Sequence, residues 1–321
     1  MIHSFGHAVY DTDVSRRISP EGANVADHSR IGRFRSDEAE RKFLDGYDAA
    51  IRDWPVPLEP VDLATGFGTT RLYRTGASEG LPVVFLPGMG GNSLGWLHTS
   101  GPVGAAHPVY LVDPVGAAGR SRQTRPLTGP ADLNTWLAEV LDGIGAPVAY
   151  LVGFSYGGWQ SMLAAISIPE RVAGMTLLDP AAFRTATLRH LAWGVACGIG
   201  LYSPPWLRRP MARLLHTDSV NRPGDIMAAI AGTYLFEQAL PPMVPLTDEQ
   251  LAAITTPALV LLGKHSTMHD SPAVARRLVR LVPAAEVEVV PGTGHSIALD
   301  LPDLVNSRIL AHAARVTGHL S

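Results

Sequence analysis

A serine hydroxyl attacks a carbonyl efficiently only when a base takes its proton, an acid orients that base and donors await the oxyanion. The best candidate for such a serine lies within residues 148–166. An apolar β-type run, Val148–Val152, stops at Gly153-Phe154-Ser155-Tyr156-Gly157, and a helix-like segment follows at once. Strand, Gly-x-Ser-x-Gly and helix in that order predict a sharp turn that lifts the serine Oγ from the carboxyl edge of a sheet. The five-residue pattern occurs a second time. Gly91-Asn92-Ser93-Leu94-Gly95 also fits, but the run before it, Val83–Leu86, ends several residues too early. Ser93 therefore falls inside a Gly-rich loop, where loop hydrogen bonding is its expected role. Ser155 is the expected nucleophile.

A base is available downstream. His295 follows the β-type run Val287–Val290 and the loop Pro291-Gly292-Thr293-Gly294. On such a loop a histidine can reach over the sheet edge to Ser155. An oxyanion hole needs two backbone N–H groups. Tyr156, directly after the nucleophile, would supply one. Met89, in the loop Pro87–Gly91, would supply the other. That loop is not read as a phosphate cradle, because no Gly-Lys-Ser/Thr follows it.

These groups need a scaffold, and the pattern of runs supplies one. Val61–Thr65 and Arg71–Arg74 alternate like an antiparallel edge pair. Val83–Leu86, Val109–Val112, Val148–Val152, Met175–Leu178, Ala258–Leu262 and Val287–Val290 are nearly continuous apolar runs, as in a parallel sheet covered on both faces. Helical patterns at Ala131–Ile144, Gly158–Ser167, Ala273–Leu281 and Leu301–Ala311 lie between or after them. The expected class is α/β, with a mostly parallel sheet and helices on both faces. Residues 1–54 read as a polar arm (1–35) followed by a helix over Ser36–Trp54. Residues 55–183 and 252–321 read as the α/β core. Residues 184–251 break the alternation. They carry Leu188, Leu191, Trp193, Trp206, Leu214, Ile226, Met227 and Tyr234, punctuated by prolines, and predict an inserted helical cap.

Composition narrows the function. At 46% hydrophobic the 321-residue chain can bury a large core, and a net charge of −3 offers no basic footprint for nucleic acid. Cys197 is the single cysteine, which excludes an intramolecular disulfide and a thiolate metal cluster. No apolar leader is visible, and no apolar run reaches the roughly 18 residues of a membrane span. A soluble, cytoplasmic protein is the expectation, with its oligomeric state open.

Four motifs, LPGMGG, VDPVGAAGRS (Asp113–Ser121), GFSYGG and PGTGHS, stand in this order from residue 86 to residue 296. In them the chain resembles the α/β-hydrolase superfamily, in its capped, esterase-like branch, from about Val61 to the C-terminus. The resemblance implies an α/β-hydrolase fold with a mostly parallel eight-stranded sheet, a helical lid, and neither metal nor organic cofactor. It puts Asp113 in a structural turn with Gly116 and Gly119. One motif departs from the family. The acid usually follows the strand read here as Ala258–Leu262, but Gly263-Lys264-His265-Ser266 puts a serine in its slot. Asp179, which ends Met175–Leu178, is the favoured substitute, because haloalkane dehalogenases in this superfamily draw their acid from that strand. Asp270 is the alternative, although Asp-Ser-Pro reads as a helix N-cap. A site without any acid is the third reading. His265 and His269 have metal-pair spacing but lack the glutamate of a zincin motif.

The expected reaction is hydrolysis of an ester or related acyl bond of a small apolar substrate. Gly88, His98, Trp159, Trp193 and Trp206 are expected around the pocket. Acyl transfer, lactonisation, cyclisation or C–C cleavage remains the alternative, as does a non-catalytic ligand-binding protein on the same scaffold.

Overall fold

The computed structural model describes residues 30–185, 187–224, 232 and 234–320. Residues 1–29 of the expected arm, and Ile226 and Met227 of the expected cap, lie outside the described residues.

The chain enters through a two-residue strand, β1 (Arg33–Phe34), and the helix α1 (Asp37–Arg52). Ser36 caps α1 by accepting from Ala39 N–H, and Phe43 and Tyr47 bury one face of the helix. β2 (Glu59–Thr65) and β3 (Gly68–Gly76) form the antiparallel pair, followed by β4 (Val83–Leu86), the short α2 (Ser100–Gly104), β5 (Pro108–Val112) and the two-residue β6 (Arg122–Gln123). Next come α3 (Pro130–Gly143), β7 (Ala149–Phe154), α4 (Tyr156–Ser167) and β8 (Val172–Leu178). The interrupting segment holds α5 (Leu188–Tyr202), α6 (Pro205–Leu215), a 3₁₀ turn at Asp218–Asn221, the two-residue β9 (Phe236–Glu237) and α7 (Asp248–Ala252). β10 (Ala258–Gly263), α8 (Ser271–Leu281), β11 (Ala285–Val290), the single turn α9 (Ile297–Asp300) and α10 (Pro302–Leu320) complete the chain.

Among the described residues one sheet of nine strands runs β11-β10-β8-β7-β4-β5-β3-β2, with β6 paired to β3. Every neighbour from β11 to β5 is parallel, while β3 joins β5 and β2 antiparallel. Helices cover both faces. Leu133, Trp136, Leu137, Trp159, Met162, Val274 and Leu278 of α3, α4 and α8 pack on one side. Phe43, Tyr47, Val103, Val305, Ile309 and Val316 of α1, α2 and α10 pack on the other. Burial on both faces explains why the central strands read as unbroken apolar runs.

The arm expected over residues 1–35 does not extend to residue 35 as a free segment. β1 pairs antiparallel with β9, Phe34 meets Phe236 edge-on at 5.0 Å, and Arg33 Nε donates to Glu237 Oε2 at 3.0 Å. A strand of two residues has no periodicity to read, so the sequence pattern was blind to it.

Candidate active site

The turn between β7 and α4 is built for close approach. A Cβ on Gly153 would lie 2.4 Å from Gly157 O, and one on Gly157 would lie 2.0 Å from Leu86 O. Both positions therefore need glycine. Between them Ser155 adopts φ 50° and ψ −110°, a strained conformation for a residue with a side chain. Hydrogen bonds hold it there. Ser155 N–H donates to Leu178 O at 3.0 Å, and Ser155 O accepts from Trp159 N–H at 3.1 Å and Ala181 N–H at 3.0 Å.

Three strand ends converge on this serine. His295, on the loop between β11 and α9, places Nε2 3.1 Å from Ser155 Oγ and Nδ1 2.6 Å from Asp179 Oδ2. Asp179 ends β8 at φ 44° and is fully buried. Gly263 N–H donates to its Oδ1 at 3.0 Å, and Ser266 Oγ donates to its Oδ2 at 2.6 Å. His269 Nε2 lies 3.3 Å from Oδ1 without an aligned hydrogen bond, its ring edge-on to Phe183. Burial alone would raise the carboxyl's pKa. The contacts with His269 and His295 outweigh it and hold the group well below the usual carboxylate range. Ser266 thus stands in the slot where the family's acid usually sits, but as a donor to an acid from the neighbouring strand. Asp270, the alternative acid, caps α8 by accepting from Ala273 N–H at 3.1 Å.

Met89 and Tyr156 flank the serine. Tyr156 N–H is among the first of α4, which have no partner inside a helix. Met89 sits on a turn closed by Gly91 N–H to Gly88 O at 2.9 Å. Met89 lines the cavity in which Ser155 lies, and Tyr156 follows Ser155 directly as the first residue of α4.

That cavity measures about 380 Å³. Gly88, Met89, Phe154, Ser155 and His295 form its core side, with Ser296 and Leu299. The segment after β8 forms the other side. His190, Trp193, Gly194, Cys197, Gly198 and Leu201 line it from α5, with Thr217, Ser219, Val220 and Tyr234 beyond. No Asp, Glu, Lys or Arg side chain among the described residues lines it. His190 meets the His295 ring edge-on at 4.9 Å, stacks on Trp193, and its Nδ1 pairs with Thr267 Oγ1 at 2.8 Å. Burial, then the neighbouring His295, push the His190 pKa down to about 4, so the ring is neutral at pH 7. Burial likewise pushes the Cys197 thiol up to about 12, which leaves it protonated and a poor nucleophile.

Of the expected pocket residues, Gly88 and Trp193 line the cavity and three others do not. Trp159 points into the sheet interface, fully buried beside Tyr156 at 5.1 Å, because its place on α4 faces the core. Trp206 is 76% exposed on α6. His98 lies behind the loop, its carbonyl accepting from Asn306 Nδ2 at 2.9 Å. Besides Trp193, which it named, the sequence reading missed the α5 stripe: His190, Gly194, Cys197, Gly198 and Leu201. Its signal was present: residues 190, 193, 194, 197, 198 and 201 follow helical spacing, and four of them are polar, glycine or cysteine. The two histidines four residues apart are divided, since His265 stacks on His216 at 3.7 Å while His269 faces Asp179.

Two hydrogen bonds join the segment after β8 to the stretch around His295. Gly294 N–H, adjacent to His295, donates to His216 O at 2.9 Å at the left-handed C-terminus of α6. Asp300 Oδ1 accepts from Ser219 N–H at 2.8 Å.

Known proteins resemble this chain over most of its length. The profile of the Alpha/beta hydrolase family matches residues 83–308. The uncharacterized carboxylesterase nap of Bacillus subtilis strain 168 is 25% identical over 284 residues, covering 86% of this chain and 94% of that protein. Carboxylesterase YbfK of the same organism is 25% identical over 295 residues, covering 87% and 95%. Among solved structures, naproxen esterase (carboxylesterase NP) from Bacillus subtilis matches at a TM-score of 0.74 and 25% identity, over 86% of this chain and 98% of that one.

Proposed function

The chain belongs to the alpha/beta hydrolase family, and on that premise we propose that it is a carboxylesterase acting through an acyl-enzyme on Ser155. The observation that carries this reading is the continuous link from Ser155 Oγ through the His295 ring to Asp179 Oδ2, at 3.1 Å and 2.6 Å. Ser155 Oγ attacks the ester carbonyl while His295 Nε2 takes its proton. Asp179 holds the Nδ1–H tautomer and stabilises the imidazolium that forms. The N–H groups of Met89 and Tyr156 receive the oxyanion. Collapse expels the alcohol, which takes the proton from His295 Nε2. Water, deprotonated by His295, then releases the carboxylic acid and restores Ser155.

Residues 184–251 act as a lid whose α5 forms one wall of the acyl or alcohol pocket. A cavity of about 380 Å³ with no Asp, Glu, Lys or Arg among its described lining residues fits a small apolar ester, and neutral His190 adds a polar contact without a charge. A carboxylate or ammonium on the substrate would lose hydration there without gaining a partner. On this reading the serine at position 266 does not leave the base without a carboxylate, because Asp179 Oδ2 lies 2.6 Å from His295 Nδ1.

The test is covalent labelling followed by turnover. A fluorophosphonate is expected to modify the peptide containing Ser155, and not the one containing Ser93. Medium-chain and aromatic acyl esters are expected to show higher kcat/KM than charged esters of equal size. No adduct with any reactive phosphonate, or a clear preference for charged substrates, would overturn the reading.

A further inference from the structure

The α5 helix carries two stripes. Its inner stripe lines the cavity. Its outer stripe, Leu188, Leu191, Val195, Ile199 and Tyr202, follows the spacing of one helix face and is 58–85% exposed. A contiguous exposed apolar stripe rimmed by charged residues marks a surface that meets a protein or a membrane. Trp206 continues the stripe past the corner into α6, where exposed Arg209 and Arg213 share its face at i+3 and i+7. Arg189 is exposed on α5 and Arg184 just before it. Residues 180–217 contain the arginines 184, 189, 208, 209 and 213 and neither Asp nor Glu.

We propose that the outer face of α5 and α6 docks this protein on an anionic lipid–water interface. Charge decides between that and a second copy of the chain. A two-fold contact would set this cationic patch against itself, bringing like charges together as the apolar stripe is buried. An anionic lipid surface offers the opposite sign over the whole patch, at the depth where Tyr202 and Trp206 rings and arginine side chains are favoured. The helix is short enough to lie in the plane of the interface, and its length does not allow it to span. Docking there would set the wall of the cavity beside the phase in which apolar esters concentrate. That consequence rests on the esterase reading; the docking itself does not.

The experiment is co-sedimentation of the full chain, carrying Ser155→Ala to spare the lipids, with sucrose-loaded vesicles. One set is phosphatidylcholine alone and the other contains phosphatidylglycerol. Partition is expected to be about tenfold or more higher on the anionic vesicles at low salt, and to fall as salt rises. Arg209→Glu with Arg213→Glu should reduce binding to the level on phosphatidylcholine. Leu191→Asp with Val195→Asp should reduce it to background. Neither pair lines the cavity, so with Ser155 restored both should hydrolyse a short water-soluble ester as the wild type does, which shows that they fold. Absence of binding to either vesicle, or binding unaffected by both pairs, overturns the proposal. A dimer in sedimentation velocity that Leu191→Asp with Val195→Asp converts to monomer also overturns it, in favour of a second copy. Failure of the esterase reading would appear separately, as wild-type protein that docks but neither labels nor hydrolyses.

Discussion

Ser93 and Ser155 occupy the same five-residue pattern, and each belongs to a cluster built on a buried aspartate at the end of a parallel strand. The clusters behave as opposites. Ser93 is fully buried, and its Oγ and N–H both donate to Asp113 Oδ1, at 2.7 Å and 2.9 Å. Tyr47 OH and Arg120 N–H fill the remaining positions of that carboxylate. Burial raises the Asp113 pKa in spite of those donors. In the other cluster the serine never touches the aspartate. The His295 imidazole stands between them, and in the proposed mechanism it gives the Ser155 proton a place to go. The difference shows that the pattern of residues is not the reactive unit. Reactivity needs a titratable group between hydroxyl and carboxylate, and a turn that keeps the hydroxyl in the cavity and out of the carboxylate's reach.

The largest effect should separate the two serines. Ser155→Ala is expected to lower kcat roughly a millionfold, the scale seen when the nucleophile of a serine protease triad is removed. Ser93→Ala should leave kcat near the wild-type value. It should instead destabilise the fold by about 1–3 kcal/mol in denaturant unfolding, because it leaves a buried carboxylate short of one donor. A large loss of turnover in folded Ser93→Ala would break the comparison.

The aspartates come next. Asp179→Asn should lower kcat roughly ten-thousandfold by presenting an amide to the base in place of a carboxylate. Asp113→Asn should act on stability, read as a drop in Tm with kcat retained in the protein that remains folded. If Asp179→Asn were mild, Ser155 and His295 would be working as a dyad.

The two carboxylates should also respond to pH with opposite signs. Asp179 has a depressed pKa, so its stabilisation is complete above the unfolded value of about 3.9 and is lost as pH falls toward the folded pKa. Asp113 has a raised pKa, so its favourable contribution is present below about 3.9 and is lost as pH rises through the folded pKa. Relative to wild type, Asp179→Asn should therefore show a Tm deficit that shrinks as pH is lowered below about 4. The deficit of Asp113→Asn should shrink as pH is raised above it. Parallel trends in the two variants would contradict the assignment of roles.

The smallest effect concerns Asp270. Asp270→Ala should lower stability by about 1 kcal/mol through loss of the cap on α8 and leave kcat unchanged. A loss of turnover as large as that of Asp179→Asn would move the acid to the strand before it.

Much of the scaffold was legible because its strands are buried on both faces and therefore carry unbroken apolar runs. The Ser155 turn was legible because a strand, two obligatory glycines and a helix meet within a few residues. The acid was harder. Sequence distance does not reveal that β8 and β10 are neighbours, so Asp179 and Ser266, 87 positions apart, gave no sign of sharing a hydrogen bond. The pocket was least legible. Of the three tryptophans expected there, Trp193 lines the cavity, Trp159 faces the sheet and Trp206 is exposed on α6. Half of the residues that line the α5 wall are glycine or cysteine, and their helical stripe shows only once the outer apolar stripe of the same helix is set aside.

If the segment after β8 is the lid proposed above, the hydrogen bond from Gly294 N–H to His216 O makes it less interchangeable than a surface insertion. Loops at sheet edges are commonly treated as modules to be exchanged between relatives. Here the second lid helix ends in a left-handed residue whose carbonyl steadies the peptide directly before the base. A chimera carrying a foreign lid would inherit a new pocket wall. Unless its own helix ended with a carbonyl at that spot, it would also release the histidine loop from one of its anchors. Specificity and rate would then change together, and a lid swap intended to alter only the substrate range would be read as damage to the catalyst.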